Sequence, residues 1–210
     1  VCQQSGMIAD NYINGVIYVD SSSSCDAANE VCGQNWQSAF RTLQDALVVA
    51  NTNQQIWLAQ GLYYPNESDN NAFNNDLVAF KLPSNVSLYG GFNAAENPTI
   101  LTEADPQQFK TILSGDIDRL SNSDITDNLG ITLKVDDIVG NNAKVLIFTA
   151  LGSQDYIIAG LTLTGVSRMQ SNQFALNLSR GNATIKDIDI IGSKSSINLR
   201  ENIDCQIDMN

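Results

Sequence analysis

The chain has 210 residues, of which 43% are hydrophobic, enough to bury a substantial core and to exclude a mainly disordered polymer. Only 16% are charged, and 23 acidic against 11 basic residues give a net charge of −12, which argues against nucleic acid or an anionic membrane as partner. No apolar run of about 18 residues occurs, so no helical membrane span is expected. Asn, Gln, Ser and Thr carry the polar balance, a composition that suits strands and turns better than surface helices.

Gly15–Asp20 reads as a strand, β-branched and aromatic, ending at a Ser-rich loop. That loop holds Cys25 and Cys32 in a short polar stretch. With no His in the chain and no CxxC spacing, a Cys25–Cys32 disulfide is expected rather than a metal site, and with it an oxidising compartment. Cys205 alternates with polar residues and is expected to point into a core. Cys2 is left to pair with Cys205, to pair with a neighbouring molecule, or to stay free.

Thr42-Leu43-Gln44-Asp45 has the spacing of a capping box, and Phe40, Leu43, Ala46, Leu47 and Ala50 share a helical face. One helix is therefore predicted over Thr42–Ala50, with Trp36 packed beneath it; a sugar-stacking platform is the alternative role for that indole. Ile56–Ala59 and Leu62–Tyr64 follow as strands around a Gln60-Gly61 turn. Phe80–Leu82 and Val86–Tyr89 are strands around Pro83-Ser84-Asn85, and Gly90-Gly91 marks a sharp bend. Thr111–Asp116 is another strand and corner.

From Lys144 onward a pattern recurs. Tyr156–Gly165 returns about 27 residues later as Ala183–Gly192 and, more weakly, as Asn202–Met209; Ala175–Ser179 and Ser196–Arg200 also match each other. Short strands recurring at about 20–27 residues predict the coils of a β-solenoid.

At these residues the chain resembles secreted bacterial right-handed parallel β-helix proteins, related to the polymorphic outer-membrane protein repeats. The resemblance rests on Ile17–Asp20, Trp36, Thr42–Leu47, Ile56–Pro65, Phe80–Phe92, Thr111–Ile117 and Gly160–Gly165, in the family's order. The family's glycine-rich corners are missing after Gly165, where Phe174–Ser179 and Ile197–Arg200 stand instead. The resemblance implies an all-β fold: a right-handed parallel β-helix, or solenoid, with one short N-terminal capping α-helix. Residues 1–15 would be an N-terminal extension, 16–110 the cap and first coils, and 111–210 further coils. It also implies a secreted or cell-surface location. A chain stopping on a strand at Asn210 would then be a fragment, or would have its end covered by another copy.

Two chemical readings remain. Inward Ile188 and Ile190 put Asp187 and Asp189 on one outward face, and stacking Cys205 over Ile188 would bring Asp204 beside Asp187 at roughly 5 Å, with Asp208 close by. Such a ladder is costly without a cation, so a structural Ca²⁺ at Asp187, Asp189, Asp204 and Asp208 is one reading; solvated carboxylates in an acidic protein is the plainer one. The second is a pectate-lyase-like elimination, which needs a base beside the acidic patch. Arg168, Lys186 and Arg200 are the nearest. Without His no Ser-His-Asp arrangement can form. Sequons stand at Asn66, Asn85, Asn177 and Asn182.

The expected function is non-catalytic: an extracellular or cell-surface structural or adhesive protein, self-assembling head-to-tail in one version. Its partner would be a second copy, another surface protein or a glycan, with no nucleic acid and no membrane insertion. The alternative is a polysaccharide-binding or polysaccharide-degrading module.

Overall fold

The computed structural model describes residues 15–25, 31–67, 77–119, 143–149, 155–166, 173–178, 181–191, 197–199 and 203–208. The strands are β1 (Val16–Val19), β2 (Gln55–Ala59), β3 (Gly61–Tyr63), β4 (Phe80–Leu82), β5 (Ser87–Phe92) and β6 (Thr111–Ser114). After them come β7 (Val145–Thr149), β8 (Tyr156–Thr164), β9 (Phe174–Leu178), β10 (Gly181–Ile190), β11 (Ile197–Leu199) and β12 (Ile203–Asp208). One α-helix, α1 (Leu43–Val49), and 3-10 turns at Trp36–Ser38, Ala94–Glu96 and Leu101–Glu103 complete the described elements.

Every strand pair among the described residues is parallel. An eight-stranded sheet runs β1-β2-β5-β8-β10-β12, with β6 also on β8 and β3 on β6; β11-β9-β7-β4 forms a second sheet. Parallel strands need long crossovers, and α1 supplies one between β1 and β2. The helix lies where Thr42–Ala50 was predicted. Thr42 Oγ1 accepts from the Asp45 backbone N–H at 3.1 Å, and the Thr42 hydroxyl donates to the Asp45 carboxylate at 2.6 Å. Leu43, Ala46 and Leu47 face the main core.

These strands correct the expected right-handed β-helix. The structure is mostly β with one helix, a half-barrel of parallel strands plus a second sheet, rather than a stack of like coils. Like coils add strands at a steady spacing. Along the larger sheet, partners are instead offset by 39 residues (Val16–Gln55), 32 (Gln55–Ser87), 70 (Leu88–Ile158), 27 (Tyr156–Ala183) and 22 (Gly181–Ile203). Moreover, β8 pairs with β5 along its first half and with β6 along its second. The recurrence read after Lys144 is real for the last steps, but it does not extend back through the chain. The expected head-to-tail stacking of coils loses its footing with the solenoid.

Two hydrophobic clusters form among the described residues. The main core holds Ile17, Val19, Ile56, Leu58 and Leu88 from the first strands, with Ile158, Leu161, Ala183 and Ile185 further along. Alternate residues of the same first strands point the other way. Val16, Trp57, Ala59, Tyr89 and Phe92 build a second, aromatic cluster with Trp36. Period-2 alternation therefore becomes a continuous apolar run, as in Ile56-Trp57-Leu58-Ala59, because both faces are covered. Trp36 lies in that second cluster and not beneath α1, a correction to the sequence expectation.

Two sites show how closely the backbones approach. A Cβ on Gly160 would sit 2.7 Å from the Gly90 carbonyl oxygen, so glycine at this crossing of β5 and β8 is a steric requirement. One step along, Asp187 of β10 stands opposite Gly160, and both have positive φ (51° and 70°). That shared kink interrupts the alternation of β10, whose buried residues run Ala183, Ile185 and then Ile188.

Candidate functional site

Strands that run parallel and in register leave a sheet at the same end. Val19 of β1 pairs with Leu58 of β2, and Ala59 pairs with Phe92 of β5, so the turns after these three strands converge. Between them lies a cleft of about 530 Å³, walled by Asp20–Ser22, Ala59–Gln60 and Asn93–Ala95, with Trp36 and Gln37 on the remaining side.

Each wall is fixed by local chemistry. Asp20 Oδ1 accepts from the Ser22 backbone N–H at 2.8 Å and from the Ser22 hydroxyl at 2.7 Å, an Asx turn that ends β1. The Ser21 N–H donates to the Tyr63 phenol oxygen at 3.3 Å, and that phenol donates to Ala59 O at 3.0 Å. Complete burial, with the Asp20 charge nearby, pushes the Tyr63 hydroxyl far above its ordinary pKa, so it stays a neutral donor. Asn93 caps its 3-10 turn, accepting from the Ala95 N–H at 3.2 Å and donating to Glu96 at 2.9 Å. The Gln60 N–H donates to Phe92 O at 2.7 Å, and its half-buried side-chain amide makes no hydrogen bond among the described residues.

The aromatic cluster forms the floor behind these turns. Trp57 and Phe92 stack with centroids 4.7 Å apart and planes 8° from parallel, while Tyr18 meets Trp36 edge-on at 4.8 Å. The Trp36 indole N–H donates to Pro98 O at 2.8 Å, so the indole is packed and hydrogen-bonded, with 5% of its surface exposed. A stacking platform for sugars needs an open face, and Trp36 does not offer one. Beyond the Asp20–Ser22 wall, the Ser23 hydroxyl donates to Ala39 O at 2.6 Å and the Cys25–Cys32 disulfide, with Cα atoms 5.9 Å apart, packs against the main core.

The acidic residues of β10 and β12 are arranged otherwise than expected. The register puts Cys205 against Ala183, Asp204 against Asn182 and Asp208 against Lys186, so Cys205 does not lie over Ile188 and Asp204 is not beside Asp187. The Asp187 carboxylate is 3.9 Å from Lys186 Nζ, and the Asp189 carboxylate is 3.3 Å from Lys110 Nζ. No cluster of three or more His, Cys, Asp or Glu with metal-binding geometry occurs among the described residues. Side-chain placement at Asp204, Asp208 and Cys205, and everything at Cys2, Arg168 and Arg200, lies outside the described residues. Of the expected bases only Lys186 is described, and it is exposed.

The four sequons differ sharply in setting. Asn66 is buried, its amide donating to Ile117 O at 3.0 Å and accepting from Arg119 at 3.4 Å, and Asn177 is buried as well. Asn85 is half-buried at φ 58°, and Asn182 is exposed, donating to Asp155 at 2.6 Å. Beside Asn66, the Arg119 guanidinium lies 4.2 Å over the Tyr64 ring, and burial raises the Glu67 carboxyl above its ordinary pKa.

No helix among the described residues is long and apolar enough to cross a membrane. In comparisons with known proteins, the chain matches no family model, and no curated protein or solved structure is significantly similar to it.

Proposed function

We propose that this chain is a non-catalytic extracellular or cell-surface module with a structural or adhesive role. The observation that carries the reading is the Cys25–Cys32 disulfide. It joins Cys25 to Cys32 against the main core, and such bonds persist in oxidising compartments. Several aromatic and polar groups around the cleft favour the same reading. The Trp36 indole, the Tyr63 phenol and the Asn93 amide are all committed to holding turns in place. A net charge of −12 favours the solubility of such a module outside the cell.

The compartment is tested by trapping thiols with iodoacetamide in the protein's native source before extraction. Cys25 and Cys32 are expected to escape labelling; labelling of both overturns the extracellular reading. The non-catalytic part is tested by incubation with polygalacturonate and alginate. No ultraviolet absorbance from unsaturated uronate ends is expected, and its growth would establish a lyase instead.

A further inference from the structure

We propose that the cleft between Asp20–Ser22, Gln60 and Asn93–Ala95 is a carbohydrate-binding site that takes a neutral glycan. The proposal rests on the extracellular adhesive reading only for where such a ligand would be met; the site itself is argued from its lining.

A pyranose presents hydroxyl edges that want planar, bidentate partners and C–H faces that want small apolar surface. Gln60 supplies a side-chain amide and Asp20 a carboxylate, while Ala59 and Ala94 supply apolar wall between them and the Asn93 and Gln37 amides, held by Ala95, Glu96 and Asn97, shape the rim. Planar groups of this kind can meet two vicinal hydroxyls at once. Gln60 carries the argument furthest, because its backbone N–H is held by Phe92 O while its side-chain amide has no bond among the described residues. The cleft, at about 530 Å³, falls within the usual size range of small-ligand sites, about 300–1,000 Å³.

Rigidity favours recognition as well. Every wall is anchored from behind by side-chain hydrogen bonds or the aromatic stack, so little ordering is required when a ligand enters. Charge selects among glycans. Among the described residues the only charged group lining the cleft is Asp20, and the net charge of −12 repels uronates and sulfated chains. With Trp36 packed away, binding would run through hydrogen bonds to hydroxyl edges and not through ring stacking.

The test is a nitrogen-15 NMR titration of the oxidised protein with cellohexaose, maltohexaose, xylohexaose and mannohexaose, alongside oligogalacturonate and heptalysine. At least one neutral hexasaccharide is expected to shift the amides of Ser21, Ser22, Gln60 and Ala95 saturably, with little change in 0.5 M salt. Gln60→Ala is expected to weaken that binding roughly five- to tenfold at unchanged melting temperature. Ala95→Leu, on an exposed wall residue, should weaken it without touching Gln60. No shift at the cleft with any neutral sugar overturns the proposal, as does a shift there with heptalysine alone. Sugar binding that both variants leave unchanged overturns it too. Failure here with Cys25 and Cys32 still oxidised in the native source would leave the extracellular reading standing, whereas free thiols there would remove that reading alone.

Discussion

In β2 and β5 nearly every residue is buried, on both faces of the sheet, whereas β10 alternates buried Ala183 and Ile185 with exposed Asn182, Lys186 and Asp189. The first region is held by bulky side chains: the Trp57–Phe92 stack, the Trp36 indole bond and the Tyr63 phenol bridge. The second is held by a long parallel ladder, β8 to β10 to β12, with mainly aliphatic residues of β8 and β10 inward beside Tyr156. Covering a second face requires extra chain, here residues 36–38 and 94–104. Those covering segments also wall the cleft. The candidate site thus stands at the end of a doubly buried part of the sheet.

The sharpest way to break the comparison is Phe92→Ala. Phe92 is fully buried and stacked on Trp57, so truncation is expected to cost about 3–5 kcal/mol in urea unfolding. Ile190→Ala, at a half-buried position of β10, should cost far less. Equal losses would mean that the aromatic cluster has no special role. Reduction of Cys25–Cys32 comes next. It frees a short loop, worth roughly 2–3 kcal/mol on the chain-entropy model, and should lower the melting temperature. If reduction leaves melting unchanged, the loop does not brace the first region.

Asp187→Gly probes the other region in the opposite direction. A non-glycine residue at φ 51° costs about 1 kcal/mol, and the lost Lys186 pair is solvent-exposed and weak. Glycine there should raise stability by up to about 1 kcal/mol. A loss would show that the carboxylate, and not the backbone kink, matters at that position.

The smallest effect is a pH dependence at Glu67. Burial raises its folded pKa above the ordinary 4.5, against the lowering influence of the Tyr64 N–H and of Arg119 and Arg41. The folded state therefore binds this proton more tightly than the unfolded chain does. Its contribution is fully present below pH 4.5 and is lost as pH rises through the raised value. Glu67→Gln should thus be slightly more stable than the parent at pH 7, with the gap closing toward pH 4. A gap that widens on acidification would contradict this assignment.

Local signals in the sequence were good guides to elements. The β-branched run at Val16–Val19, the Thr42 cap with its apolar stripe, and two cysteines in a polar loop without His each mark what the structure contains. What they did not reveal is which strands become neighbours and how far each slides. Asp187 shows why. Its left-handed backbone, facing Gly160, shifts the alternation of β10 by one residue, and counting by twos cannot see that. Aligning look-alike strands placed Cys205 over Ile188, whereas the ladder pairs it with Ala183. Trp36 was legible as a packed aromatic but not as a member of a second cluster with Trp57, because a continuous apolar run does not say which face each residue takes. The cleft had one weak signal: Asp20, Gln60 and Asn93 each follow an apolar strand directly. That becomes informative only once β1, β2 and β5 are known to be parallel neighbours.

Hydrogen exchange followed by mass spectrometry, with Cys25–Cys32 oxidised and then reduced, tests most directly whether the first region is braced by its side chains and loop. The account predicts strong protection at Tyr18, Asp20 and Phe40, whose amides bond Gly33, Phe40 and Tyr18 carbonyls, and selective loss over residues 16–40 on reduction. Strands β8 and β10 should exchange as before. Unchanged exchange over residues 16–40, or equal loosening of β8 and β10, would contradict it.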